Sequence, residues 1–196
     1  MWNQRYNTAE YIYGTEPNDF LREHAANIPA GGTVLCLAEG EGRNAVYLAQ
    51  QGYRVTAVDS SDVGLAKATA LASARGVHIT CLYADLAEFA LGEEAWHGIV
   101  SIFCHLPSAV RQPLYAALGR ALTPGGVLLL ESYTPAQLAF STGGPKDVDM
   151  LVDAATLRRE LTGLQFSLLE ECQREVVEGT YHTGLAAVVQ AIARPL

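Results

Sequence analysis

The 196-residue sequence predicts an α/β fold, a doubly wound three-layer architecture whose seven-stranded sheet ends in an antiparallel strand. Three observations carry that expectation. From Thr33 onward, short β-like runs alternate with helical stretches, the pattern of a parallel sheet with helices on both faces. The stretch "LCLAEGEGRNAVYLA", residues 35 to 49, joins an apolar run to an amphipathic one through a glycine-rich turn. Near the end, two strand-like runs follow each other with only "TYHT" between them, too close for anything but an antiparallel pair.

The elements follow in order. Residues 1–30 carry Tyr6, Tyr11, Tyr13 and the segment "GTEPNDFLREHA", which reads as a short lid and then a helix. Pro17 is placed at the start of that helix, where its fixed dihedral fits. "TVLCLA" is the first buried strand, residues 43 to 51 a helix, and "RVTAVD" the second strand. "VGLAKATALASARG" is a helix closed by Gly76 as its C-terminal cap. "HITCLYAD" makes the third strand, "GIVSIFCHL" the fourth, and residues 108 to 122 a helix. "GGVLLLESY" is the fifth strand, entered through the turn Thr123-Pro124-Gly125-Gly126. Thr156 to Leu161 reads as helical, and "FSLLEECQREVVEG" with "GLAAVVQAIA" supplies the terminal pair. "STGGPKDVD", at 141 to 149, is a turn-rich loop placed to lie over a site.

Composition narrows the function classes. A formal charge of -8 with no basic tract disfavours nucleic acid, whose binding rests on phosphate neutralisation. No apolar run reaches the ~18 residues of a membrane span. The start, Met1-Trp2-Asn3-Gln4-Arg5-Tyr6, lacks the basic and apolar stretches of a secretory signal, so the expectation is a cytoplasmic chain acting on a small molecule. Cys36, Cys81, Cys104 and Cys172 are far apart, and they are expected to be buried free thiols and not metal ligands. The oligomeric state is left open.

The glycine-rich turn poses the central question. Gly40-Glu41-Gly42-Arg43-Asn44-Ala45 matches a dinucleotide fingerprint, with Asp59 near the distance where an acid takes ribose hydroxyls. Glu39 and Glu41, however, sit inside the cradle. A carboxylate ~5 Å from a diphosphate charge, at an effective dielectric of ~20, opposes it by about 3 kcal/mol. A cationic nucleoside suits an acidic cradle better. S-adenosylmethionine carries a sulfonium and an ammonium, and Gly40 and Gly42 would let the backbone approach it closely.

The string "VLCLAEGEGRNAVYLAQQGYRVTAVDSS", with "YADL" and "LTPGGVLLLE" further on, resembles class I S-adenosylmethionine-dependent methyltransferases. It is most like the bacterial tellurite-resistance and thiopurine-type group, and the resemblance covers residues 33 to 133. Chain length makes one domain over 1–196 the simplest reading, with 1–30 as lid and helix, and the resemblance implies that 33–196 is a Rossmann-like core whose last strand is reversed. It also implies a cofactor-binding set of Ala38, Glu39, Gly40, Gly42, Asn44, Asp59, Ser60, Asp85, Leu86, Ser101 and Phe103. Asp59 would accept from the ribose hydroxyls, and Asp85 with Leu86 would reach the adenine edge, whose exocyclic amine is a donor. Family members usually carry an acid where this chain has Cys36 and glycine where it has Ala38, so Glu39 or Glu41 would supply the charge for the methionyl ammonium.

Ligands of such sheets lie beyond the strand ends at the switch in strand order, here the ends of the first and fourth strands. "FCHLP", after the fourth strand, lacks the Asn/Asp-Pro-Pro-aromatic signature of nucleic-acid amino-methyltransferases. Methyl transfer needs a base only if the acceptor carries a proton. His105, at the productive edge, and His182, in the turn before the last strand, are the catalytic candidates. The resemblance also places a C-terminal histidine at the substrate site. His24, His78 and His97 are assigned surface or packing roles. Arg111, Arg174 and Lys146 are candidate recruiters of an anionic acceptor, while Arg43 is expected to pair with Glu39 or Glu41. Tyr6, Tyr11 and Tyr13 either close over the cofactor or pack the N-terminal helix. The acceptor stays open among thiol, hydroxyl, carboxylate and metalloid oxyanion. The rivals are an NAD-binding oxidoreductase and a non-catalytic S-adenosylmethionine-binding protein.

Overall fold

A computed structural model describes residues 2–196, and Met1 lies outside the described residues. Seven strands form one sheet: β1 (Thr33–Leu37), β2 (Arg54–Asp59), β3 (Thr80–Tyr83), β4 (Trp96–Ile102), β5 (Leu122–Tyr133), β6 (Leu164–Glu178) and β7 (His182–Pro195). Their order is β3-β2-β1-β4-β5-β7-β6. β1 to β5 pair in parallel, while β7 runs antiparallel to both β5 and β6. The reversed last strand expected from the tight terminal connection is therefore present.

Strand alternation divides the core between two faces. Val34 and Cys36 of β1 face one side with Val100 of β4 and Val127 and Leu129 of β5. There they meet α2 (Asp19–His24), α3 (Arg43–Gln50) and α4 (Asp62–Ala74). Leu35, Leu37, Ile99, Leu128 and Leu130 face the other side, against α5 (Ser108–Ala121) and α6 (Ala154–Glu160). Fully burying one such aliphatic side chain contributes ~1.5–3 kcal/mol. A further helix, α1 (Trp2–Tyr6), lies against α4.

Several helix ends explain themselves. Ser61 caps α4 through Gly64 N–H at 3.0 Å, and Gly76, at φ 69°, closes its C-terminus as expected. Asp153 caps α6 by accepting from Thr156 N at 2.7 Å. Pro17 does not open α2: Asn18 is the cap, accepting from Leu21 N at 2.9 Å, and Pro17 stands just outside. An asparagine satisfies a free helix N–H that proline can only avoid supplying, which moves the boundary by two residues.

Two other boundaries differ from expectation. Thr123 to Gly126 is not a turn before β5 but part of it, an irregularity in which Trp96 pairs with Leu122 and Gly98 with Val127. Gly125, at φ 79°, absorbs the extra residues. β4 stops at Ile102 because Phe103 turns to φ 50°, so Phe103 to Leu106 leave the sheet at its carboxyl edge. All four cysteines are free; Cys36 and Cys104 are buried, but Cys81 and Cys172 are only half-buried, on the two edge strands β3 and β6. Among the described residues no helix is long and apolar enough to cross a membrane, and no cluster of metal-ligating side chains occurs.

Candidate functional site

A cavity of about 600 Å³ opens at the carboxyl ends of the parallel strands, beside the switch between β1 and β4. One half is walled by the β1–α3 turn and by the ends of β2 and β3. The other half is walled by the segment after β4, the 143–145 loop and the β6–β7 hairpin, with Tyr6 and Tyr13 of the N-terminal segment alongside.

The turn after β1 is bent through three left-handed residues, Ala38 at φ 48°, Gly40 at 61° and Gly42 at 88°. Asp59, at the end of β2, holds it there: its Oδ2 accepts from Gly40 N and its Oδ1 from Ser61 N, both at 2.8 Å. Burial pushes the Asp59 carboxyl above its ordinary range, and those N–H donors pull against the shift. Ala38, Glu39, Asn44, Asp59, Ser60, Asp85, Leu86 and Phe103 all line the cavity, as their place in the chain predicts.

Gly40 and Gly42 do not. A Cβ at Gly40 would stand 2.5 Å from the Tyr6 hydroxyl, and one at Gly42 would stand 2.5 Å from Ala68 Cβ. Their smallness admits a phenol and a neighbouring helix, so the expected close approach of a ligand is replaced by close packing. Ser101 is also absent from the walls. It shares the Ile99 face of β4, buried, with its hydroxyl beside Cys104 and Tyr115. Asn44 reaches the cavity, although its Oδ1 is occupied by Asn18 N at 2.9 Å.

The two glutamates of the turn have separate fates. Glu41 accepts from Ile12 N at 2.8 Å and pairs with Lys67, whose ammonium also caps the carbonyls of Tyr6, Thr8 and Glu10. It ties down the N-terminal segment. Glu39 keeps one oxygen on Ala45 N at 2.7 Å, inside the first turn of α3, and lies against the Cys36 thiol. Burial raises its pKa to about 7; Ala45 N–H and Arg43 oppose the rise, and Asp59 adds to it. Arg43 pairs with neither glutamate of the turn. It reaches Glu178 at 2.5 Å.

At the other half stand Phe103, His105 and His182. Phe103 stacks on Tyr133 with ring centres 4.6 Å apart, and His105 stacks on the same tyrosine at 5.4 Å. His182 meets Phe103 edge-on at 5.0 Å and Tyr13 at 4.6 Å. Desolvation lowers both imidazoles: His105 falls to about 3, with the nearby His182 adding to the effect, and burial lowers His182 against the pull of Glu178. His182 Nδ1 lies 3.9 Å from Glu178 Oε2, and that carboxylate, held down to about 2 chiefly by His182 and Arg43 against its own burial, stays ionised. His105 Nε2, the Tyr133 hydroxyl and His182 Nδ1 are buried without a hydrogen-bond partner among the described residues, 3.9 Å being too long for a bond from His182 to Glu178.

The expected anion recruiters are already engaged. Arg111 is buried against Glu160 at 2.8 Å and donates to Asp149 O at 2.6 Å. Arg174 serves Glu131 in mid-sheet, and Lys146 is exposed outside the cavity wall. His97 accepts from Thr33 N at 3.2 Å, His24 packs on Phe20, and His78 is exposed, as expected. Tyr11 packs, giving its hydroxyl to Lys67 O, whereas Tyr6 and Tyr13 reach the cavity. Sequence reading missed Arg5, Tyr133, Glu131 and Glu178. Of these, only Tyr133 carried a signal, its place at the carboxyl end of a buried strand.

Comparison with known proteins agrees with this geometry. Residues 34–126 match a family model described as a methyltransferase domain. No curated protein matches the chain. A structure described as "Conversion of a Disulfide Bond into a Thioacetal Group during Echinomycin Biosynthesis" is similar at TM-score 0.78 and 20% identity, over 98% of this chain and 87% of that one. TehB from Haemophilus influenzae is similar at TM-score 0.72 and 21% identity, over 100% of this chain and 66% of that one. A TehB-like S-adenosylmethionine-dependent methyltransferase from Corynebacterium glutamicum is similar at TM-score 0.63 and 20% identity, over 100% and 94%. At these identities the likeness is one of fold, and the fold is that of methyltransferases.

Proposed function

We propose that the protein is an S-adenosylmethionine-dependent methyltransferase acting on a small molecule. The observation that carries this reading is the charge of the cradle half of the cavity. Glu39, Glu41, Asp59 and Asp85 line it; of the cations nearby, Arg43 is paired with Glu178 and Lys67 with Glu41, and Arg5 is exposed to solvent. A diphosphate would meet carboxylates there, at a cost of ~3 kcal/mol for each charge pair at ~5 Å. A cation would meet partners. The volume, about 600 Å³, lies within the ordinary range for a nucleoside-sized ligand with room for a second small molecule.

The donor set therefore fits the cofactor. Asp59 retains lone pairs for ribose hydroxyls beyond those given to Gly40 and Ser61, Asp85 and Leu86 stand where an adenine edge would lie, and Glu39 would face the ammonium. When bound, the cofactor supplies an electrophilic methyl on a positive sulfur. The chain's own residues hold the acceptor in a dry, aromatic half-cavity beside it, and well-oriented pairs gain roughly 7–11 kcal/mol in this way. The match of residues 34–126 to a methyltransferase domain and the TehB-like neighbours support the same activity.

Calorimetric titration tests the reading directly. S-adenosylmethionine and S-adenosylhomocysteine should bind with micromolar affinity and raise the melting temperature, while NADH leaves it unchanged. Protection by NADH alone would overturn the assignment in favour of an oxidoreductase.

A further inference from the structure

An acidic cavity meets only part of the charge on the ligand proposed to fill it. S-adenosylmethionine is cationic at its sulfonium and its ammonium, but its methionyl end also carries a carboxylate. Glu39, Glu41, Asp59 and Asp85 on the walls suit the two cations and oppose that anion. Among the described residues, the cationic side chains on the walls are Arg43 and Arg5. Arg43 is buried against Glu178. Arg5 has no carboxylate within ion-pair reach; its partners are a phenol and two rings.

Those partners fix the guanidinium without neutralising it. Arg5 stands in the last turn of α1 and gives its Nη1 to the Tyr13 hydroxyl at 3.0 Å, with its guanidinium carbon 4.9 Å from the centre of the Trp2 ring and 5.3 Å from that of Tyr181. The phenol takes one N–H, and the rest of the planar fork keeps the geometry that grips a carboxylate by parallel hydrogen bonds. The helix that carries it is tied to α4. Asn3 donates to Asp62 Oδ1 at 2.7 Å and accepts from Ser61 Oγ at 2.6 Å, and Lys67 donates to Tyr6 O at 3.3 Å. Arg5 is exposed at the mouth, yet its charge is felt inside, where it pulls the pKa values of Tyr13 and His182 downward.

From this guanidinium without an acid partner in a cavity lined by carboxylates, we infer that Arg5 is the counter-ion of the methionyl carboxylate and makes the site select S-adenosylmethionine over its decarboxylated form. This inference rests on the methyltransferase reading. It divides the zwitterionic end of the ligand between two parts of the chain, with Glu39 of the β1–α3 turn serving the ammonium and Arg5 of the N-terminal segment serving the carboxylate. A decarboxylated ligand keeps every cation that the walls favour and loses the group that they oppose. An acidic cavity with no cation at work would therefore prefer it, so preference for the carboxylated ligand reports on Arg5.

Calorimetry on the full chain tests this with S-adenosylhomocysteine and its decarboxylated analogue, in which an aminopropyl thioether replaces homocysteine. Wild type should bind S-adenosylhomocysteine about tenfold more tightly than the analogue, the scale of one charge-assisted hydrogen-bonded pair. Arg5→Met should weaken S-adenosylhomocysteine by about tenfold and leave the analogue within about threefold of wild type, so that the preference is lost or reversed. The unchanged analogue shows that the variant is folded and its adenosine site intact. Arg5→Lys, which keeps the charge without the fork, should fall between. A wild type that prefers the analogue or treats the two alike, an equal loss of both ligands in Arg5→Met, or S-adenosylhomocysteine bound by Arg5→Met as tightly as by wild type overturns the inference. Failure of wild type to bind either S-adenosylmethionine or S-adenosylhomocysteine instead overturns the methyltransferase reading.

Discussion

Glu39 makes the affinity for a cationic cofactor depend on pH, and the size of the effect follows from its surroundings. The free protein holds this carboxyl at about 7, because burial beneath the β1–α3 turn outweighs the Ala45 N–H and the Arg43 charge. An ammonium brought to ~4 Å at an effective dielectric of ~20 contributes about 4 kcal/mol, or about 3 pK units, so the bound-state value falls near 4. Roughly 3% of the group is ionised at pH 5.5 and roughly 90% at pH 8, so Kd for S-adenosylmethionine should tighten about 30-fold over that range. About half a proton should be released per molecule bound at pH 7, measurable by calorimetry in two buffers of different ionisation enthalpy. Glu39→Gln should bind with a nearly flat pH profile. The reasoning would be refuted by a wild-type Kd that is constant from pH 5.5 to 8, or by a slope that survives in Glu39→Gln.

Stability offers three further checks. The two buried carboxyls act with opposite sign. Glu39 is raised from 4.5 to about 7, so the free protein loses about 3 kcal/mol as pH climbs through that window. Glu178 is depressed to about 2, so its contribution is complete above 4.5 and about 3 kcal/mol is lost as pH falls to 2. Denaturant midpoints of wild type, Glu39→Gln and Glu178→Gln across pH 2–8 should show each slope vanish separately. Gly42→Ala adds a left-handed strain to a Cβ contact of 2.5 Å with Ala68 and should cost about 3 kcal/mol. Gly52→Ala, equally left-handed at φ 91° with nothing within 4 Å, should cost only ~1–2 kcal/mol, and equal melting temperatures would refute the packing role. Arg111→Met should lower stability by ~3–5 kcal/mol by stranding Glu160, without altering KM for any acceptor; a KM effect alone would return Arg111 to the substrate site.

The parts of this molecule that were legible in its sequence are those decided by neighbouring residues. The period-2 and period-3.6 patterns mark β1 to β5 and α3 to α6 because each element has to hide an apolar face, and "TYHT" forces the antiparallel return because so short a link permits nothing else. Asp59 and Asp85 were legible for the same reason, since the carboxyl end of a parallel strand is where a chain of this class faces its ligand. The boundaries that slipped, at Pro17 and at Thr123 to Gly126, turned on a single cap and a single bulge.

Orientation of charge was not legible, because it is settled between residues far apart in the chain. Glu39 and Glu41 belong to one turn, and nothing in "AEGEGRN" says which of them lacks a cationic partner. Both line the cavity, but Lys67 and the Ile12 amide claim Glu41, leaving Glu39 as the acid of the turn without a cationic partner. Arg43 likewise ignores its neighbours for Glu178, 135 positions away. That long-range pairing has a chemical consequence: Arg43, on the helix beside the cradle, helps hold the Glu178 carboxylate ionised at the end of β6, 3.9 Å from His182 Nδ1. The two halves of the cavity thus share one buried ion pair, and Arg43→Met should strand the Glu178 carboxylate and lower stability by ~3–5 kcal/mol, read as a fall in the denaturant midpoint; an unchanged midpoint would show that the pair holds nothing together.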